Sequence, residues 1–263
     1  MTRRSQLLIA ALLMGSGSKL LGQSVEDHLA AGREFSTKNP PAALTEFEAV
    51  LAVDSANYEA NWGAAQALVD IGKRTPDSVK SRERDSLYAR AETLARAAVK
   101  ADSTGADGHF ILAAAIGRAS LTKSKKERVK RAAEIRDEAL KALALDPNHD
   151  KAYHLLGRWN AEIMRLSGLT RFFAKNFLGG AVFNSASWQG AIDNMQKAVA
   201  LNPESVYHRL DLAEIYVDVD RYSDARQQLT EIAELPVFDA ADPEYQAEAA
   251  ALLKRIANKK DKD

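Results

Sequence analysis

The chain has 263 residues, 46% of them hydrophobic, and its 36 basic and 36 acidic residues balance. This composition allows a sizeable core, and the balanced charge gives no indication of nucleic-acid binding. The absence of cysteine excludes disulfides, thiol catalysis, cysteine-ligated metal sites and a lipid anchor on cysteine.

The first 23 residues have the layout of a secretory signal peptide. Two arginines in MTRRSQ precede the apolar run LLIAALLMG (Leu7–Gly15), and small and polar residues follow it. The run is shorter than the roughly 20 residues that a membrane-spanning helix needs. We therefore expect cleavage near Gly22 or Gln23 and a mature chain that starts around Ser24, lacks a transmembrane span and is exported, with the bacterial periplasm as its compartment. An uncleaved N-terminal anchor is the alternative.

From residue 24 onward the pattern is helical and repetitive. Four segments share an apolar helix end, a turn of Asp or Asn followed by Ser or Pro, and a new helix start: EAVLAVDSANYEA, RAAVKADSTGADG, KALALDPNHDKAY and KAVALNPESVYHR. Small and apolar residues precede these turns with the spacing A-x3-F: Ala43, Phe47 and Val50; Ala91, Ala95 and Ala98; Ala191, Met195 and Ala198; Ala225, Leu229 and Ile232.

This spacing resembles the tetratricopeptide repeat, a helix–turn–helix unit of about 34 residues. The resemblance predicts an all-α fold, namely a tetratricopeptide-like α-solenoid (a right-handed superhelix of helix pairs) with insertions and a C-terminal capping helix. We expect a repeat domain over 24–258 and a charged tail over 259–263. The expected units are 24–57, 58–105, 106–149, 150–205 and 206–238, with the capping helix at 242–258. Three units exceed the repeat length, and insertions of this kind map to loops on one face of a stack.

The capping helix has clear sequence signals. We expect Asp242 to be its N-cap, with Pro243 at the first helical position and one apolar face that covers the last repeat.

A basic run, LTKSKKERVKRAAEIRDE, begins at Leu121. A solvated helix start accounts for such a run, and a site for an acidic partner or an anionic headgroup is the alternative.

The concave groove is the expected binding surface. In tetratricopeptide arrays the second, fifth and ninth residues of each first helix line this groove. The resemblance implies the following lining residues: Arg158, His154, Glu162, Trp62, Phe110, Arg118, Leu210 and Glu214. Arg158 is the expected anchor for an anionic or amide group, because its guanidinium can bind a carboxylate or phosphate bidentately. For each of these residues the alternative is a solvated side chain or one satisfied within the protein.

The segment from 166 to 187 is an apolar insertion. Leu169, Phe172, Phe173 and Phe177 share one face at helical spacing, and Trp159 is expected to pack against this segment. A helix packed inside the solenoid is one interpretation. The others are a lid over the groove and a surface for membrane or acyl-chain contact.

The C-terminal half also resembles one family. The matching residues are Leu156–Trp159 (LGRW), Leu166–Ser167 followed by a basic and aromatic helix, and the closing Leu235–Val237 (LPV). Together they resemble the regulator of microtubule dynamics family, which has bacterial members. The resemblance implies membrane contacts and lipid handling for some relatives. The signal peptide makes tubulin an unexpected partner for this chain.

The sequence shows no catalytic, nucleotide-binding or metal-ligand motif, so we expect no enzyme activity, metal or cofactor. The predicted function is a non-catalytic scaffold that binds a protein or peptide in the cell envelope through its concave groove. The alternative is a carrier or sensor of a lipid or other apolar ligand, held between the groove and the 166–187 insertion.

Overall fold

A computed structural model describes residues 24–177 and 180–262, and the predicted signal peptide lies outside these ranges. The described residues form α-helices and short 3-10 turns without a strand. The helices are α1 (24–35), α2 (Pro40–Val53), α3 (Tyr58–Lys73), α4 (Arg82–Ala101), α5 (Ala106–Ala119), α6 (Lys125–Leu145), α7 (Asp150–Arg165), α8 (Gly168–Phe177), α9 (Trp188–Leu201), α10 (Val206–Asp218), α11 (Tyr222–Ile232) and α12 (Asp242–Ile256). In the described ranges, no helix has both the length and the apolarity that crossing a bilayer requires.

The helices pack as successive pairs. The second helix of one pair contacts the first helix of the next, and α12 packs on the last pair. The first helices α3, α5, α7 and α10 also contact one another in order, followed by α12. These first helices form the inner row of an α-solenoid, so the predicted fold class is confirmed.

The recurrent Asp or Asn of the sequence pattern ends the second helix of the first four pairs. The backbone N–H of Asp54, Asp102, Asp146 and Asn202 donates to the carbonyl four residues earlier. The carboxylates of the three aspartates accept a hydrogen bond from the backbone N–H two residues on, which turns the chain toward the next helix. Local turn chemistry therefore explains why this residue recurs at the same place in the repeats.

The extra residues lie between the first and second helices of their pairs. They form the loop 74–81, the 3-10 turn Ser120–Thr122, and the segment that contains α8 and the 3-10 turn Ala181–Ser185. All three insertions therefore lie at the same kind of helix junction.

Two close contacts show how the pairs pack. A Cβ added to Gly157 would lie 3.0 Å from Met195 Cε and 3.2 Å from the carbonyl oxygen of Ala191. The glycine of LGRW thus permits close packing of α7 on α9, as the repeat pattern indicates.

The capping helix differs from the prediction at its start. Residue 241 is the N-cap, and Asp242 is the first helical residue. The carboxylate of Asp242 accepts hydrogen bonds from the backbone N–H groups of Phe238 (2.9 Å) and Asp239 (2.7 Å). Asp242 therefore forms hydrogen bonds with the backbone of the preceding loop and does not cap the helix N-terminus.

Candidate functional site

Asp211 of α10 is at the centre of the contact between α7 and α10. Its carboxylate accepts a hydrogen bond from His154 Nε2 at 2.6 Å and one from Arg158 Nη1 at 3.1 Å. Arg158 Nη1 also donates to the hydroxyl of Tyr207 at 3.0 Å. His154 and Asp211 are buried, whereas the guanidinium of Arg158 reaches the surface. One buried carboxylate thus binds His154 and Arg158, two of the residues that the sequence analysis assigned to the groove.

A second His–carboxylate pair crosses the same interface in the opposite direction. His208 of α10 lies 3.0 Å from Asp150 of α7, which also accepts a hydrogen bond from Asn202 at 2.9 Å. The rings of His154 and His208 are 4.7 Å apart. The two helices are therefore joined by two adjacent His–carboxylate pairs.

The burial and charge of these groups perturb their pKa values. Burial lowers the pKa of His154 from 6.5 to about 4, although Asp211 opposes this change. Burial alone would raise the pKa of Asp211, but the Arg158 charge and the hydrogen bond from His154 hold it well below its usual range. At neutral pH, Asp211 is a carboxylate that accepts from a neutral imidazole and a charged guanidinium. The pairing neutralises much of the charge that Arg158 was expected to present to a ligand.

The inner part of the groove is filled by the protein's own side chains. Lys73 Nζ of α3 lies 5.3 Å from the ring centre of Tyr207, and Tyr207 stacks on Tyr245 of α12 at 4.9 Å. The backbone N–H of Ala240 donates to the carbonyl of Thr37 at 2.9 Å, which ties the loop before α12 to the loop after α1. These contacts join the two ends of the solenoid across the groove.

Charged side chains remain accessible where α7 and α10 end. Arg165 lies 2.7 Å from both Glu162 and Asp218 and 4.0 Å from Glu214. We call Glu162, Arg165, Glu214 and Asp218 the charge cluster. A recess of about 240 Å³ adjoins it and is lined by Arg165, Glu214, Val217, Asp218, Leu252 and Arg255. Burial raises the pKa of Glu214, and the Asp211 charge adds to this shift. The charge cluster presents both signs of charge at an accessible recess.

The five predicted lining residues on α7 and α10 separate into three groups. Glu162 and Glu214 are accessible members of the charge cluster. His154 and Leu210 are buried, so the expectation that they face an open groove is wrong: His154 is bound to Asp211, and Leu210 belongs to the core around α10. Arg158 is the intermediate case, because it is partly exposed but bound to Asp211.

The remaining lining residues lie further toward the N-terminus, in α3 and α5. Trp62 is half-buried against the apolar core of this region. The ring of Phe110 packs on His149 at 4.9 Å, and Arg118 pairs with Asp77 at 3.2 Å. These three residues do not join the charge cluster.

The described residues of the insertion pack beside α7. Trp159 and Ile163 of α7 form a buried cluster with Val129 of α6, Ala174 of α8 and Phe183, and Trp159 Nε1 donates to the carbonyl of Ala132 at 2.8 Å. The expected packing of Trp159 against the insertion is therefore present.

The outward face of α8 differs from the interpretation of a fully packed helix. Leu169 is 68% exposed and Phe172 is 55% exposed, whereas Ala174 is buried against the solenoid. The side chains of Phe173 and Phe177 lie outside the described residues.

Comparison with known proteins identifies the family. The family model described as "Regulator of microtubule dynamics protein 1-3" matches residues 24–257. The chain belongs to the regulator of microtubule dynamics family. It is 26% identical over 192 residues to regulator of microtubule dynamics protein 3 of Rattus norvegicus. The aligned residues make up 73% of this chain and 40% of that protein. It is 24% identical over 208 residues to regulator of microtubule dynamics protein 1 of Bos taurus, covering 78% of this chain and 64% of that protein. The chain thus spans less than two thirds of either relative.

Solved structures give the same fold for this family member. A thermophilic TPR protein of Thermus thermophilus superposes with a TM-score of 0.59 at 19% identity, covering 86% of this chain and 99% of that one. PilF of Pseudomonas aeruginosa superposes with a TM-score of 0.52 at 16% identity, covering 89% and 92%. At these identities the likeness shows the tetratricopeptide-type solenoid alone.

Sequence reasoning missed several site residues in this member of the regulator of microtubule dynamics family. Asp211 and Asp150 are the partners of His154 and His208, and Arg165 organises the charge cluster. Two signals in the sequence indicate the two aspartates. Asp150, His154 and Arg158 follow one another at intervals of four residues, which places them on one face of α7, and Tyr207 and Asp211 repeat this interval on α10. Polar stripes on two neighbouring first helices predict a polar contact between them.

Proposed function

We propose that this protein is a non-catalytic repeat scaffold that binds a protein or peptide partner at the charge cluster and its recess. The observation that carries this proposal is the accessible set of Glu162, Arg165, Glu214 and Asp218 beside the 240 Å³ recess. Tetratricopeptide-type solenoids present extended inner surfaces to polypeptides, and the fold supports the same role here.

The geometry favours the charge cluster over the deeper groove. Lys73, Tyr207 and Tyr245 occupy the deeper part, and Arg158 is paired with Asp211. A partner that entered there would have to displace these contacts. At the charge cluster, by contrast, the ion pairs lie at the surface, and each contributes little to stability. A polypeptide that carries both signs of charge replaces them with its own ion pairs at a small cost in free energy.

The mixed charge also favours a polypeptide over an apolar ligand. The recess is lined by Arg165, Glu214, Asp218 and Arg255, groups that are costly to bury against an acyl chain without hydrogen-bonding partners. The described contacts of the insertion run to α6 and to the flank of α7, so the observed arrangement supports the scaffold more strongly than a lipid carrier.

For the cellular location we propose export to the cell envelope of a bacterium, in agreement with the charged and apolar pattern of residues 1–23. The relatives are named for microtubule dynamics. In an exported bacterial protein tubulin would not be the partner, so we propose a partner from the envelope.

Site-specific photo-crosslinking in cells tests the scaffold. A photoreactive amino acid at Glu162 or Glu214 should capture one discrete partner, identified by mass spectrometry. The same probe at Lys197, exposed on the second helix α9, is the matched control. Capture of the same partner at Lys197 but not at Glu162 or Glu214 would contradict the proposal, because contact would then lie on the opposite side of the repeat.

A further inference from the structure

We propose that α8 and the first turn of α6 together form a docking surface for an anionic lipid bilayer. This inference goes beyond the scaffold function, because it concerns a different surface of the molecule and a different class of partner.

The apolar half of this surface is the outward face of α8. Leu169 is 68% exposed and Phe172 is 55% exposed, whereas Ala174 of the same helix is buried in the cluster with Val129 and Trp159. Leu121, which precedes α6, is 36% exposed. Large apolar side chains held outward on a short helix are typical of proteins that bind a membrane interface.

The basic half is the start of α6 and the residues that precede it. Five cations are exposed within eight residues: Lys123, Lys125, Lys126, Arg128 and Lys130. Elsewhere in the described chain many arginines pair with carboxylates, but none of these five forms an ion pair within the described ranges. Their charge is therefore available to a partner.

Packing places the two halves side by side. Val129 of α6 and Ala174 of α8 belong to the same buried cluster, together with Trp159, Ile163 and Phe183. Lys125 and Lys126 precede Val129 by four and three residues, so they lie on the same side of α6 as Val129. This shared cluster brings the first turn of α6 close to α8.

The combination of charge and apolar exposure selects the partner. An acidic protein would pair with the lysines but would not account for Leu169 and Phe172 on the adjoining helix. An anionic bilayer accounts for both, because headgroups attract the lysines and the apolar side chains insert at the boundary between headgroups and acyl chains. The surface suits reversible attachment alongside the solenoid, because neither half spans a membrane.

Site-specific fluorescence provides the test, since the chain contains no cysteine. The full-length protein with Leu169→Cys would carry an environment-sensitive dye, and Val53→Cys on α2, 64% exposed, is the matched control. We expect a blue shift from the dye at 169 with vesicles of phosphatidylcholine and phosphatidylglycerol, and a much weaker one with phosphatidylcholine alone. The dye at 53 should not respond. The dye responds to the polarity around residue 169. Binding of residues 1–23 to the vesicles would therefore not by itself produce the blue shift.

Charge removal tests the basic half. In the Leu169→Cys background, Lys125→Ala with Lys126→Ala should raise the lipid concentration at half-maximal shift roughly thirtyfold, if each lysine contributes as juxtamembrane lysines do. Lys100→Ala with Lys197→Ala, two exposed lysines on α4 and α9, should leave it unchanged. An unresponsive dye at 169 overturns the proposal, as does a shift on anionic vesicles that is indifferent to Lys125 and Lys126. Soluble polyglutamate that binds through these lysines, while anionic vesicles do not, would identify an acidic polypeptide site instead.

Discussion

Lys73 of α3 lies over the ring of Tyr207 of α10, with 5.3 Å between the ammonium and the ring centre. The second and fifth helix pairs of the solenoid therefore meet across the inner surface. A cation at this distance from an aromatic face is attracted to it. The deeper groove is thus occupied by the protein's own residues, and the accessible charge cluster lies at the ends of α7 and α10.

Asp211 should be a major determinant of stability. Asp211→Asn removes the charge that the buried His154 and the partly buried Arg158 share, and we expect a loss of about 3 kcal/mol in the free energy of unfolding. Chemical denaturation measures this loss. Asp137→Asn, on an exposed part of α6, is the matched control and should be near neutral. If the two variants have equal stability, the proposed role of Asp211 is wrong.

The stability of the protein should fall in mild acid because of His154. The folded state lowers the pKa of this imidazole from 6.5 to about 4, so the unfolded chain binds the proton first as the pH falls. The stabilisation that results from this pKa difference is complete above pH 6.5 and is lost as the pH falls toward 4. Over that window the loss is on the order of 3 kcal/mol. Denaturation midpoints at a series of pH values, compared between the parent protein and His154→Gln, should show a shallower dependence in the variant. Identical slopes would show that His154 does not carry this linkage.

Gly157 tests the close packing of α7 on α9. A leucine at this position meets Met195 and the backbone of Ala191, and overpacking of this kind costs about 1–3 kcal/mol. The control is the same substitution at Gly168, where an added Cβ has no atom within 4 Å. Thermal melts of the two leucine variants should therefore differ, with Gly157→Leu melting lower.

Trp159 should hold the insertion in place. Trp159→Ala removes the largest side chain of the cluster that includes Val129, Ala174 and Phe183, and truncation of a buried aromatic residue costs about 3–5 kcal/mol. Limited proteolysis should then cleave within residues 166–187 faster than in the parent protein. Leu169→Ala, which changes an exposed residue of the same segment, should leave the cleavage rate unchanged.

The fold was predictable because its determinants are local. The helix ends at Asp54, Asp102, Asp146 and Asn202 and the small residues before them repeat along the chain, and each signal acts within one helix pair. The packing glycine, Gly157, was predictable for the same reason.

The arrangement of the groove was not predictable, because it depends on contacts between distant residues. Lys73 approaches Tyr207, and Ala240 approaches Thr37, only once the stacked pairs bring the two ends of the chain together. His154 and Arg158 were placed correctly on α7, but their engagement by Asp211 depends on how α10 packs against that helix. The repeat pattern predicts on which face of a helix a residue lies. It does not predict which residues of the neighbouring helix pack on that face.

The most direct test of the scaffold is the affinity for the partner captured at the charge cluster. Arg165→Glu reverses the cation between Glu162, Glu214 and Asp218, and isothermal titration calorimetry with the purified partner measures the result. Arg96→Glu, at an exposed ion-paired arginine on α4, is the control. We expect Arg165→Glu to weaken binding at least about tenfold, because charge reversal places like charges together at the interface, and Arg96→Glu to leave it unchanged. Equal affinities for the Arg165→Glu variant and the parent protein, with both folded, would contradict the assignment of the partner site to the charge cluster.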